Sequence, residues 1–271
     1  MTHRTSADAS RTRAAISICL ALAASLVVAG CATDDASTTT TVSTTSPGPT
    51  ARADGPASLS HYPALPPPPA PTAGTIRCTY TPVGTATPPG GTPSSSTSAS
   101  GTVDVTLQTS VGPIPLVLDR ALAPCAVNNF ENLAASGFYD DTSCHRLLMA
   151  PGTQLYQCGD PTGTGTGGPG YTFASEYPVP AFAADMQESY RGLVVVYPRG
   201  TVAMTGHDNN NGSQFFLLLG DSALRPDYTV FGRIADSALP ALDAAAATGD
   251  DGSSPLGGGV PNTPLVITAV R

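Results

Sequence analysis

Arg146, Gln157, Gln214 and Phe216 are the residues of this 271-residue chain best suited to act on another molecule. Arg146 closes the triplet Cys144-His145-Arg146, and Gln157 opens the run QCGDPTGTGTGGPGY (157–171). Gln214 and Phe216 stand in Asn211-Gly212-Ser213-Gln214-Phe215-Phe216. A guanidinium offers five N–H donors and does not lose its proton. Neutral amides can orient it and bind a peptide backbone, and a phenyl ring supplies an apolar wall. In a partly dry pocket such a set stabilises redistributed charge in a bound group without proton transfer and without a cofactor. Covalent chemistry fits poorly: the sequence holds no GxSxG elbow, no HExxH and no acidic pair in a recognisable motif. His145 adjoins Cys144, but neighbouring strand residues point to opposite faces, which argues against a nucleophile–base pair. Gly163-x-Gly165-x-x-Gly168 matches the dinucleotide fingerprint in letters, yet it lies between Asp160-Pro161 and Pro169-Gly170-Tyr171 and opens no helix. No CxxC pair supports a metal site.

These residues need rigid elements to hold them. Val103, Val105 and Leu107 alternate with polar residues, and Ile114-Pro-Leu-Val-Leu follows a turn, which predicts a hairpin. Pro124 to Ser136 reads as a helix, with Val127, Phe130 and Leu133 at helical spacing and Gly137 beyond its end. Further strands are expected around 145–148, 155–158, 201–204, 214–219, 229–234 and 265–270. A second helix fits Ser237 to Ala247, with Ser237 as N-cap. Many short strands with two helices make a sandwich or a barrel.

Four motifs in fixed order identify a resemblance. Cys144-His145-Arg146 with the 157–171 run, YPRGTVAM at 197–204, NGSQFF at 211–216 and YTVFGRI at 228–234 together resemble the cyclophilin family of peptidyl-prolyl isomerases, over about residues 101–271. The resemblance implies a mainly β fold: a closed eight-stranded antiparallel β-barrel capped by two α-helices. It implies isomerisation of X-Pro bonds, whose rotation barrier of about 18–20 kcal/mol comes from amide resonance. A group that favours the twisted imide over the planar one lowers that barrier. Arg146 matches the catalytic arginine, with Gln157 and Phe216 completing the catalytic set. Gln214 matches a backbone-binding amide, Phe216 and Leu224 the floor of the proline pocket, and Leu155 an apolar pocket residue. Gln154, Thr205, Gly206 and Tyr228 take the remaining substrate-facing positions. Several of these depart from the common pattern: Gln154 stands where a phenylalanine is frequent, Thr205-Gly206 replaces Ala-Asn, Ala223 replaces a rim tryptophan and Tyr228 a histidine. Loss of an aromatic wall at Gln154 removes apolar area worth about 1–3 kcal/mol of binding. The rival expectation is therefore a proline-peptide-binding chaperone or adaptor with little catalysis. Proline-containing polypeptides are the implied partners of either, with no cofactor and no metal, in a monomer.

Composition bounds the rest. All seven Phe residues follow residue 129, so the large core belongs to the C-terminal two-thirds. Net charge is −8, every basic residue is Arg, and no basic run exists to meet a phosphate backbone, which excludes nucleic acid as a partner. Residues 1–30 read as a lipoprotein signal peptide: Arg4, Arg11 and Arg13 precede an apolar run, Ala14 to Ala29, shorter than the roughly 20 residues of a bilayer span. Cys31 directly after Val28-Ala29-Gly30 is the expected lipidation site, which would place the chain on the extracytoplasmic face of a bacterial membrane. Residues 31–100 read as a low-complexity Thr/Ser/Pro-rich tether, within which Ile76 to Val83 could dock on the domain at 101–271. Cys78, Cys125, Cys144 and Cys158 remain for two disulfides. Three pairings are possible. If Arg146 and Gln157 face one site from adjacent strands, Cys144 and Cys158 fall on opposite faces, so Cys144–Cys158 ranks last.

Overall fold

In the computed structural model, residues 59–84, 90–182 and 192–271 are described. Three short strands precede the main domain: β1 (Thr75–Arg77), β2 (Tyr80–Pro82) and β3 (Ser96–Ser98). The alternating stretch then forms the hairpin β4 (Thr102–Thr109) and β5 (Gly112–Asp119), paired residue for residue from Thr102↔Asp119 to Thr109↔Gly112. Helix α1 (Pro124–Ala135) begins with proline in its first turn, where the missing N–H is no loss. Strands β6 (Thr142–Ser143), β7 (Arg146–Ala150), β8 (Thr153–Cys158) and β9 (Tyr171–Phe173) follow. After them come β10 (Val195–Tyr197), β11 (Thr201–Met204), β12 (Phe215–Leu218), β13 (Ser222–Leu224) and β14 (Val230–Ile234). Helix α2 (Leu239–Ala246) and β15 (Val266–Val270) close the chain.

Nine of these strands form one strongly curled antiparallel sheet, ordered β6-β15-β4-β5-β14-β11-β12-β8-β7. Its outermost strands, β6 and β7, are consecutive in the chain and separated by Cys144-His145 alone. Taken as one segment, 142–150 pairs with β15 through its first part and with β8 through its second, which reduces nine strands to eight. The sheet encloses Leu107, Leu116, Leu147, Tyr156, Val202, Phe215 and Phe231, and α1 packs Val127, Phe130 and Leu133 into the same interior. Phe130 stacks on Tyr139 at 5.0 Å and meets Phe215 edge-on at 5.5 Å. A second apolar cluster, of Leu155, Tyr177, Val195, Tyr197, Ala203, Phe216, Leu218 and Val230, lies apart from that interior.

Three expectations need correction. Ser237 is not a cap: a 3-10 turn covers Asp236–Ala238, α2 starts at Leu239 with Pro240 in its first turn, and no side chain caps it. Cys144 and Cys158 are bonded to each other, and Cys78 to Cys125. The parity argument failed because strand alternation does not reach Cys144. The ladder breaks there, the Cys144 amide donates to Leu265 O at 2.8 Å instead, and both sulfurs join the interior.

The third concerns the tether, whose last part lies against the domain. Ala64 bridges Val196, the Val196 amide donates to Pro63 O at 2.8 Å, and Tyr177 Oη donates to Pro66 O at 2.5 Å. Low apolar content does not prevent this, because an extended proline-rich strand needs only a neighbour that donates to its carbonyls. Within 76–83, β2 pairs with β9 (Tyr80↔Phe173).

Candidate active site

Register brings the expected residues together. Arg146 on β7 opposes Gln157 on β8, Gln157 opposes Phe216 on β12, and Phe216 opposes Ala203 on β11. Directly paired residues share a face, so these four form a row across four strands. The neighbouring row, Leu147–Tyr156–Leu217–Val202, points inward and belongs to the interior core. The Arg146 row therefore lies on the outer face of the sheet. Gln214, two residues before Phe216, follows the same parity.

Three protein acceptors hold the guanidinium. Nε donates to Gly257 O and Nη2 to Leu256 O, each at 2.9 Å, and Nη1 donates to Gln157 Oε1 at 3.2 Å. With five N–H groups in all, two remain for a ligand. Burial pulls the Arg146 pKa below its ordinary value, and Tyr228 and Asp250 offset part of that; the group stays a cation. Gln157 Nε2 donates on to Gln214 Oε1 at 2.8 Å, and Gln214 Nε2 to Gly165 O and Gly167 O at 3.0 and 2.8 Å.

That last pair explains the glycine run. Its amides do not await a phosphate: Asp160 accepts from the amides of Thr162, Gly165 and Gly167 and from Thr162 Oγ1. Burial pushes the Asp160 carboxyl up, and these hydrogen bonds outweigh it and hold it below its usual range. The loop's carbonyls are thereby turned toward Gln214.

The row opens into a cavity of about 800 Å³. Arg146, Gln157, Thr205, Gly206, Gln214, Phe216 and Tyr228 all line it. The Tyr228 ring stands edge-on to Phe216 with centroids 5.3 Å apart. Three expected residues are not on its lining. Leu155 is buried beneath, in the second apolar cluster, and Leu224 packs partly exposed against that cluster. Gln154 pairs with Met149, one step out of phase with Gln157, and its side chain lies against Gly220. Sequence reasoning missed Leu256 and Gly257, because a backbone carbonyl leaves no residue signature; the glycine-rich run at 257–259 signals only a loop. It also missed Val83, His207, Asn210 and Arg225, which line the cavity together with residues 165–172, Gly212 and Ser213. Cys144 is a half-cystine, so no thiol stands beside His145. Among the described residues, His207, Asp208 and Asp227 could approach a common metal ion, but Asp227 is already paired with Arg225.

Residues 103–270 match the family model described as cyclophilin type peptidyl-prolyl cis-trans isomerase/CLD. The chain is 46% identical over 169 residues to a probable peptidyl-prolyl cis-trans isomerase B of Mycobacterium tuberculosis, covering 62% of this chain and 54% of that one. It is 34% identical over 182 residues to a probable peptidyl-prolyl cis-trans isomerase A of Mycobacterium leprae, covering 61% and 89%. The chain thus spans about half the length of the first of these relatives. A crystal structure of a cyclophilin type isomerase from Cryptosporidium parvum, in the presence of the dipeptide Ala-Pro, is similar at 29% identity and a TM-score of 0.47, covering 62% of this chain and 97% of that one.

Proposed function

Because this chain belongs to the cyclophilin type peptidyl-prolyl cis-trans isomerase family, we propose that it isomerises X-Pro bonds of proteins that fold outside the cytoplasmic membrane. The observation that carries the reading is Arg146, fixed by two carbonyls and one amide with two donors left over, in one cross-strand row with Phe216. Phe216 and Tyr228 receive the pyrrolidine ring, and Gln157 and Gln214 hold the peptide backbone. The guanidinium donates to the imide nitrogen or the twisted carbonyl, and favours that geometry over the planar one. No covalent step is needed.

Export rests on the Arg-flanked apolar run and Cys31, both outside the described residues. A lipid on Cys31 and the Thr/Ser/Pro-rich stretch after it would hold the domain at the outer face of the membrane. Intact-mass measurement of the processed N-terminus tests this; an uncut Met1 or an unmodified Cys31 rules it out.

A binding module is the second reading. What favours it is the absence of Gln154, Leu155 and Leu224 from the cavity lining, which removes two of the expected apolar residues from the proline pocket and leaves Phe216 as its floor. NMR exchange on an Ala-Pro peptide separates the two. Accelerated cis–trans exchange that disappears in Arg146→Ala supports the enzyme. Binding without acceleration in the wild type supports the module.

A further inference from the structure

Leu65 lies far upstream of the family match, which begins at residue 103, yet it packs on the apolar cluster that contains Phe216. From residue 60 to residue 74, Leu65 and Pro66 alone are partly buried and the rest are exposed. The backbone around them is fastened to the domain. The Val196 amide donates to Pro63 O at 2.8 Å, Ala64 bridges Val196 in parallel, and Tyr177 Oη donates to Pro66 O at 2.5 Å.

The strand so engaged is β10. On its other edge it pairs with β13, with Val195 opposite Leu224, and a ribbon of two three-residue strands has little stability alone. From β10 a connection runs to the cavity wall. The Tyr197 hydroxyl shares its proton between Arg225 O at 3.0 Å and Tyr228 O at 3.2 Å. Arg225 and Tyr228 both line the cavity, and the Tyr228 ring meets Phe216 edge-on. Val195, Tyr197 and Phe216 belong to the cluster on which Leu65 packs, and Leu224 and Tyr228 pack on it too.

We infer that Leu65 is a positioning residue for the proline pocket: residues 63–66 hold β10, β10 holds the Arg225–Tyr228 segment through Tyr197, and that segment sets Tyr228 against Phe216. The inference rests on the isomerase or proline-binding reading of the cavity. None of residues 63–66 is on the cavity lining, so the segment acts through β10 rather than on the client. A site is only as well defined as the groups that support it. Arg146 has its own support, in Gln157 and the carbonyls of Leu256 and Gly257, whereas the Tyr228 wall hangs from the short ribbon. Leu65 therefore governs how well a proline is held, and leaves the guanidinium where it is.

The test compares wild type, Leu65→Ser, Leu65→Met, Tyr197→Phe and the double variant Leu65→Ser/Tyr197→Phe, all in the full chain and well below their melting temperatures. Affinity for a capped Ala-Pro peptide is read by NMR titration, and turnover by exchange at saturation. Leu65→Ser and Tyr197→Phe should each weaken binding about twofold to tenfold, with exchange at saturation unchanged and with Leu65→Met close to wild type. The double variant should bind no worse than the weaker single one, because both changes cut one connection. If Leu65→Ser unfolds more easily but binds as wild type does, Leu65 is structural only, and the inference is overturned while the isomerase reading stands. Losses that add in the double variant, or a matching loss of exchange at saturation, overturn it as well. If wild type neither binds the peptide nor accelerates its exchange, the reading of the cavity falls and the inference with it.

Discussion

Arg146 Nη1 and Gln157 Oε1 stand 3.2 Å apart across the β7–β8 ladder, and this contact begins a one-way relay. Each amide accepts on one side and donates on the other, until Gln214 ends the relay on the carbonyls of Gly165 and Gly167. A flip would cost Gln157 two partners and Gln214 three. Truncating Gln157 to alanine releases one of the guanidinium's three anchors. A hydrogen bond to a charged group is worth about 1.5–3 kcal/mol, so maximal exchange should fall by about tenfold or more. Because the pocket's aromatic walls are untouched, KM should change little.

Gly258 is the next lever. Its φ is +69°, and a Cβ there would collide with the carbonyl of Leu147. The following residue, Gly259, exchanges two backbone hydrogen bonds with Leu147, at 2.8 and 3.0 Å, which sets the loop that presents Leu256 O and Gly257 O to Arg146. Gly258→Ala should therefore reduce turnover while a proline peptide still binds with near wild-type affinity. Equal losses in binding and turnover would instead indicate a collapsed pocket.

The Cys144–Cys158 bond joins the residue just outside β7 to the last residue of β8. Closing a loop with a sequence separation of 14 contributes about 3 kcal/mol through the unfolded chain. The double variant Cys144→Ser/Cys158→Ser should lose about that much in denaturant unfolding. It should also lose activity, since Arg146 and Gln157 sit two and one residues from the bonded cysteines.

Glu176 gives the stability a pH dependence. It caps α1 from far along the chain, accepting from the amides of Cys125 and Ala126 at 2.9 and 2.8 Å. Burial outweighs these bonds and pushes its pKa from 4.5 to about 7. Between those values the folded protein keeps a proton that the unfolded chain has released. Stability from this group is therefore complete below about pH 4.5, falls as pH rises, and levels off above about pH 7, a change of about 3 kcal/mol. Denaturation midpoints measured across this window should decline in wild type and stay flatter in Glu176→Gln.

How much of this could be read from the sequence follows from where the information resides. β4, β5 and α1 were legible because their apolar residues recur at strand and helix spacing. Arg146, Gln157, Gln214 and Phe216 were legible because they stand in ordered motifs. The strands β9, β10 and β13 escaped, being three residues each, too short to show a period. So did the helix cap supplied by Glu176, which is contributed across 50 residues of chain. The disulfide pairing was misjudged because a break in a strand at Cys144-His145 cannot be seen in residue types. The carbonyl clamp on Arg146 was invisible for a related reason: any residue at 256 or 257 carries the same oxygen.

The covalent tie between Cys78 and Cys125 also governs where the molecule can be shortened. A version trimmed to begin at residue 101 would keep every motif yet strip Cys125 of its mate and Tyr171 of the ring that covers it. Such a fragment would carry a lone sulfhydryl at the mouth of α1, free to cross-link two molecules, so biochemical work on this protein is better served by a start upstream of residue 75.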